Sequence, residues 1–366
     1  MLEILYLILG EQLRQFDYIY KIIFNKLFMI SKKTTAIFLL LFVFIIFFSF
    51  SSTAQNTQIK GFADFLTSYQ NGKASFGFDE QDLFITSELT DRISFLGESV
   101  FKFTPTSPTD FSVSIERLII KYNIEGNNNL ILGKIHSPIN YWNNTYHHGR
   151  VFYPTIERPL LFAAEIIPLH TTGISIQGHD FGNLRFGYDV VIGNGLGSAP
   201  VEDNDKRKSV TVAAHIKPVD KLYLGVSWYN DVVSKGATVE NKVIGWKVNQ
   251  NLFTGSVAYF GNKFELLTEG TLGIDKTDTT GSKNTLAAYL YTGYKVTEKL
   301  IPYIRLDDLQ YQNGEIYFTK DNTTSVIAGL RYQINYLAVV KLEFQHQHAE
   351  LEGNTNSITA QFAVGF

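Results

Sequence analysis

Residues 357–366 read S-I-T-A-Q-F-A-V-G-F and end the sequence. In an extended strand, one face carries the larger apolar side chains, which are Ile358, Ala360, Phe362, Val364 and Phe366. The opposite face carries small or polar residues, which are Ser357, Thr359, Gln361, Ala363 and Gly365. This period of two is typical of a membrane-spanning β-strand. Each unpaired backbone group costs several kcal/mol in lipid, so the pattern predicts a sheet closed into a barrel. The alternative is an edge strand of a soluble β-sandwich.

The composition favours a barrel over a helical membrane protein. Gly (28), Tyr (20) and Phe (29) are abundant, whereas Met (2) and Cys (0) are scarce. Beyond residue 55 the sequence contains no apolar run of about 18 residues, the length that a membrane-spanning helix requires. A net charge of -3 excludes a strongly basic chain that binds nucleic acid. The absence of Cys excludes disulfides, thiolate metal sites and a lipid-anchored cysteine.

The amino-terminal residues 1–54 have the pattern of a targeting segment. Two lysines precede an apolar run at 36–48, and small residues ending at Ala54 follow it. A basic region, a short apolar region and a small-residue cleavage site together indicate a secretory signal peptide. We therefore predict translation from Met29, cleavage after Ala54 and a mature chain of residues 55–366. The alternative is a retained transmembrane anchor, for which the apolar run is short.

Segments of alternating polarity recur along the rest of the chain. Residues 92–103 show the alternation most clearly, because Arg92, Glu98 and Lys102 all fall on one face. A strand between lipid and a water-filled lumen has this distribution of charge. Near Glu116 the alternation slips by one residue, which indicates a β-bulge.

The connections between these segments alternate in length. Short turns are predicted near residues 90–91, 125–128, 178–182, 218–220, 261–262, 297–298 and 335. Longer polar connections are predicted at 69–78, 104–110, 137–169, 194–208, 231–251, 273–283, 310–321 and 348–355. The pattern predicts one all-β domain, a single closed antiparallel transmembrane β-barrel of sixteen strands with both termini at the short-turn end. Residues 241–249 are assigned to a hairpin within a loop, and fourteen or eighteen strands are the alternatives.

The connection at 137–169 differs from the other long ones. It is rich in aromatic and apolar residues, among them Tyr141, Trp142, Tyr146, Phe152, Tyr153 and Phe162. A structureless loop of this length is uncommon and usually functional. Because exposing so many apolar groups to water is costly, we expect the loop to fold against the inside of the barrel.

A resemblance to a known family rests on this region. Residues 132–149 read L-G-K-I-H-S-P-I-N-Y-W-N-N-T-Y-H-H-G. The run resembles porin-like outer-membrane β-barrels of Bacteroidetes, which are distantly similar to phosphate-selective porins, and the close match covers about residues 130–175. The resemblance implies a passive diffusion channel for ions and small hydrophilic solutes in the outer membrane of a Gram-negative bacterium. It also implies periplasmic termini, extracellular long loops and a third loop that narrows the pore.

The same resemblance suggests partners. A strand that ends in a carboxy-terminal Phe, here Phe366, resembles the signal that the barrel-assembly machinery recognises in bacterial outer-membrane barrels. The other expected partners are outer-membrane lipid and the permeating solutes. General porins are often trimers, so a homo-oligomer is a further expectation.

Charged, histidine and aromatic residues of the loop are the candidate constriction. They are Tyr141, Trp142, His147, His148, Arg150, Glu157, Arg158 and Glu165. Charges around a narrow pore select ions by their field and by size. Two arginines against two glutamates predict weak selectivity, and the basic ladder of a phosphate-selective pore is not evident. Further residues predicted to line the lumen are Glu88, Arg92, Glu98, Lys102, Lys134, Arg305, Asp307, Arg331, Lys341 and Glu343.

Other readings of these residues are open. Histidines at 136, 147, 148 and 170 could ligate a metal, but no second ligand lies at a diagnostic spacing. The same side chains could simply pin the loop to the wall. An outer-membrane hydrolase would need a constellation such as His346 and His348 with Glu343 and Glu350, and a plugged barrel could act in binding or adhesion. We predict no cofactor, no metal and no enzymatic activity.

Overall fold

A computed structural model describes residues 56–103, 110–146, 149–196, 203, 207–239, 242–318 and 320–366. The predicted signal peptide lies outside the described residues. Within the described residues, no helix combines the length and the apolar character needed to cross a bilayer.

The described chain is almost entirely strand. Its eighteen strands are β1 (Asn56–Gln70), β2 (Lys73–Glu88), β3 (Ile93–Phe103), β4 (Phe111–Glu125), β5 (Asn128–His136), β6 (His170–Phe181), β7 (Phe186–Gly193), β8 (Ser209–Ile216), β9 (Leu222–Val233), β10 (Thr238–Val239), β11 (Lys242–Val243), β12 (Val248–Phe260), β13 (Phe264–Thr277), β14 (Gly281–Tyr294), β15 (Leu300–Tyr311), β16 (Thr323–Asn335), β17 (Ala338–Ala349) and β18 (Gly353–Gly365). The helical pieces are α1 (Tyr141–Thr145), a 3₁₀ turn (Arg150–Phe152) and α2 (Leu160–Ala163).

Sixteen of these strands form one closed antiparallel barrel, as predicted. Each pairs with its neighbours along the chain, and β1 pairs with β18 to close the circle. The remaining two strands, β10 and β11, form a separate small hairpin in the connection between β9 and β12. The predicted loop hairpin at 241–249 is therefore correct for residues 242–243, whereas Val248 already belongs to the barrel.

The alternation along each strand separates an exposed face from a buried one. On β18, Ile358 and Phe362 are exposed, while Gln361 and Ala363 are buried. The buried face carries most of the charged side chains of the strands, and the exposed face carries the large apolar ones. Between β3 and β4, Glu98 pairs with Arg117 and the next pair joins Ser99 and Ile115, which confirms the predicted bulge at Glu116.

Eight connections lie at one end of the barrel, called here the loop end, and seven lie at the other, the turn end. Three predicted long connections are wrong. A two-residue turn, Asn71–Gly72, replaces the loop expected at 69–78, and three-residue connections at 278–280 and 350–352 replace those expected at 273–283 and 348–355. The backbone pairing continues through these residues, so β1, β2, β13 and β14 are longer than the alternation indicates.

The exposed apolar band gives a test of the fold. We expect Leu342→Arg to lower the free energy of unfolding by about 2–4 kcal/mol, the cost of a cationic side chain near the bilayer centre. Leu342 lies on the exposed face of β17 between Val340 and Phe344, which are also exposed. Urea unfolding of the barrel in lipid vesicles, followed by Trp fluorescence, measures the loss. Leu351→Arg, in the exposed connection after β17, is the control and should change little. Equal losses for both variants would show that this face does not meet hydrocarbon.

Candidate functional site

The candidate site is built on the connection between β5 and β6, called here the 137–169 segment. Its two ends are tied together, because the Ser137 N–H donates to the Leu169 carbonyl at 3.0 Å. The buried Asn143 amide reinforces this closure by donating to the Ser137 carbonyl at 2.8 Å and the Leu169 carbonyl at 3.0 Å. The segment therefore folds as a compact unit with a closed base.

Apolar side chains of the segment are packed against the buried face of the strands. Trp142 is the centre of this cluster, with its ring 5.3 Å from Tyr153 and 6.1 Å from Tyr289 of β14. The other members from the segment are Ile139, Leu161, Phe162, Ile166 and Ile167. Folding therefore buries these apolar side chains, which avoids the free-energy cost of exposing them to water.

A buried carboxylate of β13 fixes the start of α1. Glu269 accepts hydrogen bonds from the backbone N–H groups of Tyr141 and of Trp142, the latter at 3.0 Å. The hydroxyls of Ser256 and Tyr289 also donate to it, each at 2.5 Å. The first N–H groups of a helix have no partner within the helix, so an acceptor at this place satisfies them.

Two further wall carboxylates accept backbone N–H groups of the same segment. Glu343 Oε1 accepts from the Ile156 N–H at 2.7 Å and from the Tyr303 hydroxyl at 2.6 Å. Asp307 Oδ1 accepts from the Leu160 N–H, where α2 begins, at 3.1 Å. Charge-assisted bonds of this kind are roughly twice as strong as neutral ones.

Cationic wall residues bind the carbonyl groups of the segment. Arg305 Nη1 donates to Thr155 Oγ1 and to the Glu157 carbonyl, both at 2.6 Å. Arg331 Nη1 donates to the Pro154 carbonyl at 3.2 Å. Both guanidiniums are buried, so these hydrogen bonds replace water that the groups have lost.

Lys341 of β17 completes the set. Its side chain is 0% exposed. Its Nζ donates to the carbonyls of Arg150 at 2.7 Å and of Thr155 at 3.0 Å, and to Gln361 Oε1 at 3.0 Å. The Gln361 amide in turn donates to Asp64 Oδ2 at 2.7 Å, so the contact extends to β1.

Arg150 is surrounded by four carboxylates. It contacts Asp79 directly, Glu157 at 3.1 Å, Glu80 at 3.2 Å and Asp64 at 3.9 Å. Burial by itself lowers the pKa of the guanidinium, but these four carboxylates outweigh burial and raise the pKa well above its ordinary value. Arg150 therefore stays charged, and the cluster as a whole has an excess of negative charge.

The other predicted constriction residues have mixed surroundings. Tyr141 is half-buried, with its ring 4.8 Å from that of Tyr223. Arg158 is half-buried, and its carbonyl accepts from Arg305 Nη2 at 3.4 Å. Glu157 and Glu165 are exposed on the surface of the segment.

His147 and His148 lie outside the described residues, so the metal hypothesis that depends on them stays untested. Elsewhere, His170 Nε2 lies 3.0 Å from Glu116, and the His136 and His170 rings are 5.2 Å apart. Among the residues that the structure describes, no group of three or more His, Cys, Asp or Glu side chains is placed to hold a metal ion.

Several predicted lumen residues lie away from the segment. Glu98 is buried and forms an ion pair with Arg117, while Lys102 lies 3.6 Å from Glu80. Glu88 and Arg92 are exposed at the turn end, on either side of the β2–β3 connection.

Lys134 is not on the face predicted for it. Its cross-strand partner is Leu118, an exposed residue, and its Nζ donates to the Ile115 carbonyl at 2.6 Å. Ile131 and Ile135 occupy the buried face instead. The sequence of β5 is apolar on both faces around residues 130–132, so alternation alone cannot set its phase.

The residues considered for a hydrolase are not brought together. His346 and His348 lie on the exposed face of β17, where their rings contact Asn356 at 2.8 Å and Asn354 at 2.7 Å. Glu343 lies on the opposite, buried face of the same strand.

Sequence analysis missed several residues that hold the segment. Glu269 is the main one, together with Asp64, Asp79 and Glu80 around Arg150. The same alternation that selects Glu343 also selects Glu269, because both follow the polar face of a strand. A bulge places both Asp79 and Glu80 opposite Asp64, and no alternation of polarity in the sequence predicts it.

The chain is similar to known proteins in its fold but not in its sequence. No family model matches the chain, and no curated protein matches it. Among solved structures, the anion-selective porin from Comamonas acidovorans has a TM-score of 0.62 at 11% identity, covering 85% of this chain and 100% of its own. The outer-membrane channel DcaP of Acinetobacter baumannii has a TM-score of 0.61 at 11% identity, covering 86% and 99%.

A third structure is OmpT, an outer membrane protein of Vibrio cholerae, in a trimer form. It has a TM-score of 0.59 at 12% identity and covers 86% of this chain and 100% of its own. The chain shares the fold of outer-membrane barrels. At such low identity the likeness extends to the fold alone.

Glu269 offers a test of how the segment is held. We expect Glu269→Ala to loosen residues 138–146, because the buried Trp142 N–H loses its acceptor, at about 1–3 kcal/mol. The Tyr141 N–H then keeps Ser256 Oγ as its acceptor, at 3.2 Å. Limited proteolysis of the folded barrel should then cut within the segment faster than in wild type. Glu298→Ala, in the exposed β14–β15 connection, is the matched control. Unchanged cleavage in Glu269→Ala would contradict the anchoring role.

Proposed function

We propose that this protein is an outer-membrane porin that lets ions and small hydrophilic solutes diffuse passively. The closed barrel supports this, since its exposed face is apolar and its buried face carries the charged side chains. The porin and channel among the structural neighbours support it at the level of fold.

In this proposal the 137–169 segment lies in the lumen and narrows it. The contacts of the segment are the observation that carries the argument. Its partners Asp64, Glu269, Asp307 and Glu343 all belong to the buried face, and they come from β1, β13, β15 and β17. Strands β12 to β18 and β1 to β2 are contiguous in the closed barrel, so the segment occupies one side of it. Tyr141 of the segment also contacts Tyr223 of β9, so the side left for solutes is the one formed by β3 to β8.

A cavity on the buried face supports an open path at the turn end. It has a volume of about 350 Å³ and spans β1 to β5. Polar residues such as Gln58, Glu88, Ser94 and Lys121 line it. A wall of mixed charge of this kind accommodates hydrated solutes of either sign, consistent with weak selectivity.

A plugged barrel that acts in binding or adhesion is the second candidate. It is favoured by the depth at which the segment is packed, since Trp142, Tyr153 and Phe162 are almost completely buried. Catalysis is not part of our proposal, because His346 and Glu343 lie on opposite faces of β17.

The proposal also covers the setting of the barrel. Secretion by the predicted signal peptide and recognition of the strand ending at Phe366 would deliver the chain to the outer membrane. Periplasmic termini and extracellular long loops follow from that route. The trimer form of the Vibrio cholerae neighbour supports testing for a homotrimer.

Single-channel recording tests the proposed pore directly. The chain, expressed at full length and purified from outer membranes in detergent, is added to a planar lipid bilayer. We expect discrete, stable conductance steps, and a larger step for Glu269→Ala because its segment is no longer fixed to β13. Barrels that insert without any conductance would contradict the porin and favour the plugged barrel.

Ion selectivity tests the charges of the segment. Replacing both Arg150 and Arg158 by Ala should shift selectivity towards cations, because Asp64, Asp79 and Glu80 then lack their main counter-charge. The reversal potential in a salt gradient measures the shift. Arg185→Ala, which removes an arginine at the turn between β6 and β7, is the control. A reversal potential that is unchanged in the double variant would remove these residues from the constriction.

A further inference from the structure

A second group of buried polar side chains lies at the loop end of the barrel, apart from the 137–169 segment. It consists of Gln250 on β12, Asp275 on β13 and Glu315 in the connection after β15, which are 0%, 2% and 1% exposed. Gln250 and Asp275 are direct cross-strand partners. The Asp275 carboxylate lies within hydrogen-bonding reach of both the Gln250 amide and the Glu315 carboxylate.

The backbone of the connection orients Glu315. Its N–H donates to the Gln312 carbonyl at 3.1 Å, and the Tyr317 N–H donates to Glu315 Oε2 at 2.6 Å. This turn occupies one carboxylate oxygen and leaves Oε1 for another partner. The adjacent side chains of Ile316 and Tyr317 are buried, so the turn is packed down on the wall of the barrel.

Several polar atoms of this group are buried and have no hydrogen-bond partner outside the group. Asp275 Oδ1, Glu315 Oε1 and both amide atoms of Gln250 make no hydrogen bond to any other described residue. A buried polar group without a partner is rare in folded proteins, and a buried pair of like charges is costly. A cation that binds oxygen would neutralise the two carboxylates and give these atoms a partner.

Nearby lysines do not supply that charge. Lys283 is the cross-strand partner of Asp275 on β14, but its side chain runs beside Gly314. Lys242 of β11 donates to the Ile316 carbonyl at 3.0 Å. Neither lysine forms an ion pair with Asp275 or Glu315 among the described residues.

We propose that Asp275, Glu315 and the Gln250 amide oxygen bind a divalent cation of the calcium type. Hard cations of this kind take carboxylate and amide oxygens in flexible geometries, and water completes their coordination. Two carboxylates match the charge of one such ion. Because its ligands come from β12, β13 and the turn after β15, the ion clamps that turn to the barrel wall. This site is independent of the proposed pore.

Binding can be measured with Tb³⁺, which occupies calcium sites and luminesces when a nearby aromatic ring transfers energy to it. Tyr317 lies two residues from Glu315 and is suited to this transfer. We expect the full-length barrel, purified in detergent and treated with EDTA, to give saturable Tb³⁺ emission that Ca²⁺ displaces. Asp275→Asn and Glu315→Gln should each weaken Tb³⁺ binding at least tenfold. Asp278→Asn, an exposed neighbour in the β13–β14 connection, should leave it unchanged.

A second measurement keeps the proposal testable if a variant folds poorly. In the wild-type barrel, Ca²⁺ should slow proteolysis at residues 312–318 and raise the thermal midpoint relative to EDTA, because a ligand that binds only the folded state stabilises it. Emission that does not saturate, or that survives in both Asp275→Asn and Glu315→Gln, would overturn the proposal. Wild-type stability that responds to pH but not to Ca²⁺ would overturn it as well, since the two carboxylates would then share a proton.

Discussion

The hydrogen bonds between β1 and β18 are the constraint on which the rest of the structure depends. Gly61 and Phe366 exchange backbone hydrogen bonds of 2.9 Å in each direction at the end of this pair. Without this pairing, β1 and β18 would present unpaired backbone groups to lipid, where no water can hydrogen-bond to them. Once the circle is closed, every strand has one face outside and one inside. The separation of apolar and charged side chains follows from that division.

The charged side chains of the buried face and the backbone of the 137–169 segment depend on each other. Charged groups on the buried face require partners, and the backbone of the segment supplies both kinds. Glu269, Asp307 and Glu343 accept its N–H groups, while Arg305 and Lys341 donate to its carbonyls. Neither the wall nor the segment is satisfied alone, so each determines the conformation of the other.

Local alternation was enough to predict the barrel, its sixteen strands and the bulge at Glu116, because these depend on which face of a strand meets lipid. It failed where that signal is weak. Lys134 lies in a stretch that is apolar on both faces, and β1 and β2 stay paired up to the Asn71–Gly72 turn through residues predicted to form a polar connection. The residues that bind the 137–169 segment were harder to predict from the sequence. The contact between Glu269 and Trp142 joins distant parts of the chain, and no local pattern encodes such a pairing.

Closure by the first and last strands also bears on how the chain assembles. The pairing of Phe62 with Gly365 has nearly the largest sequence separation that the barrel allows, so its formation carries a large loss of chain entropy. Contacts of this kind slow folding relative to local hairpins. The 137–169 segment is synthesised before β13, β15 and β17, whose side chains later hold it. Its backbone groups therefore lack these partners until β13, β15 and β17 are in place, and the barrel is closed only when the last strand pairs with the first.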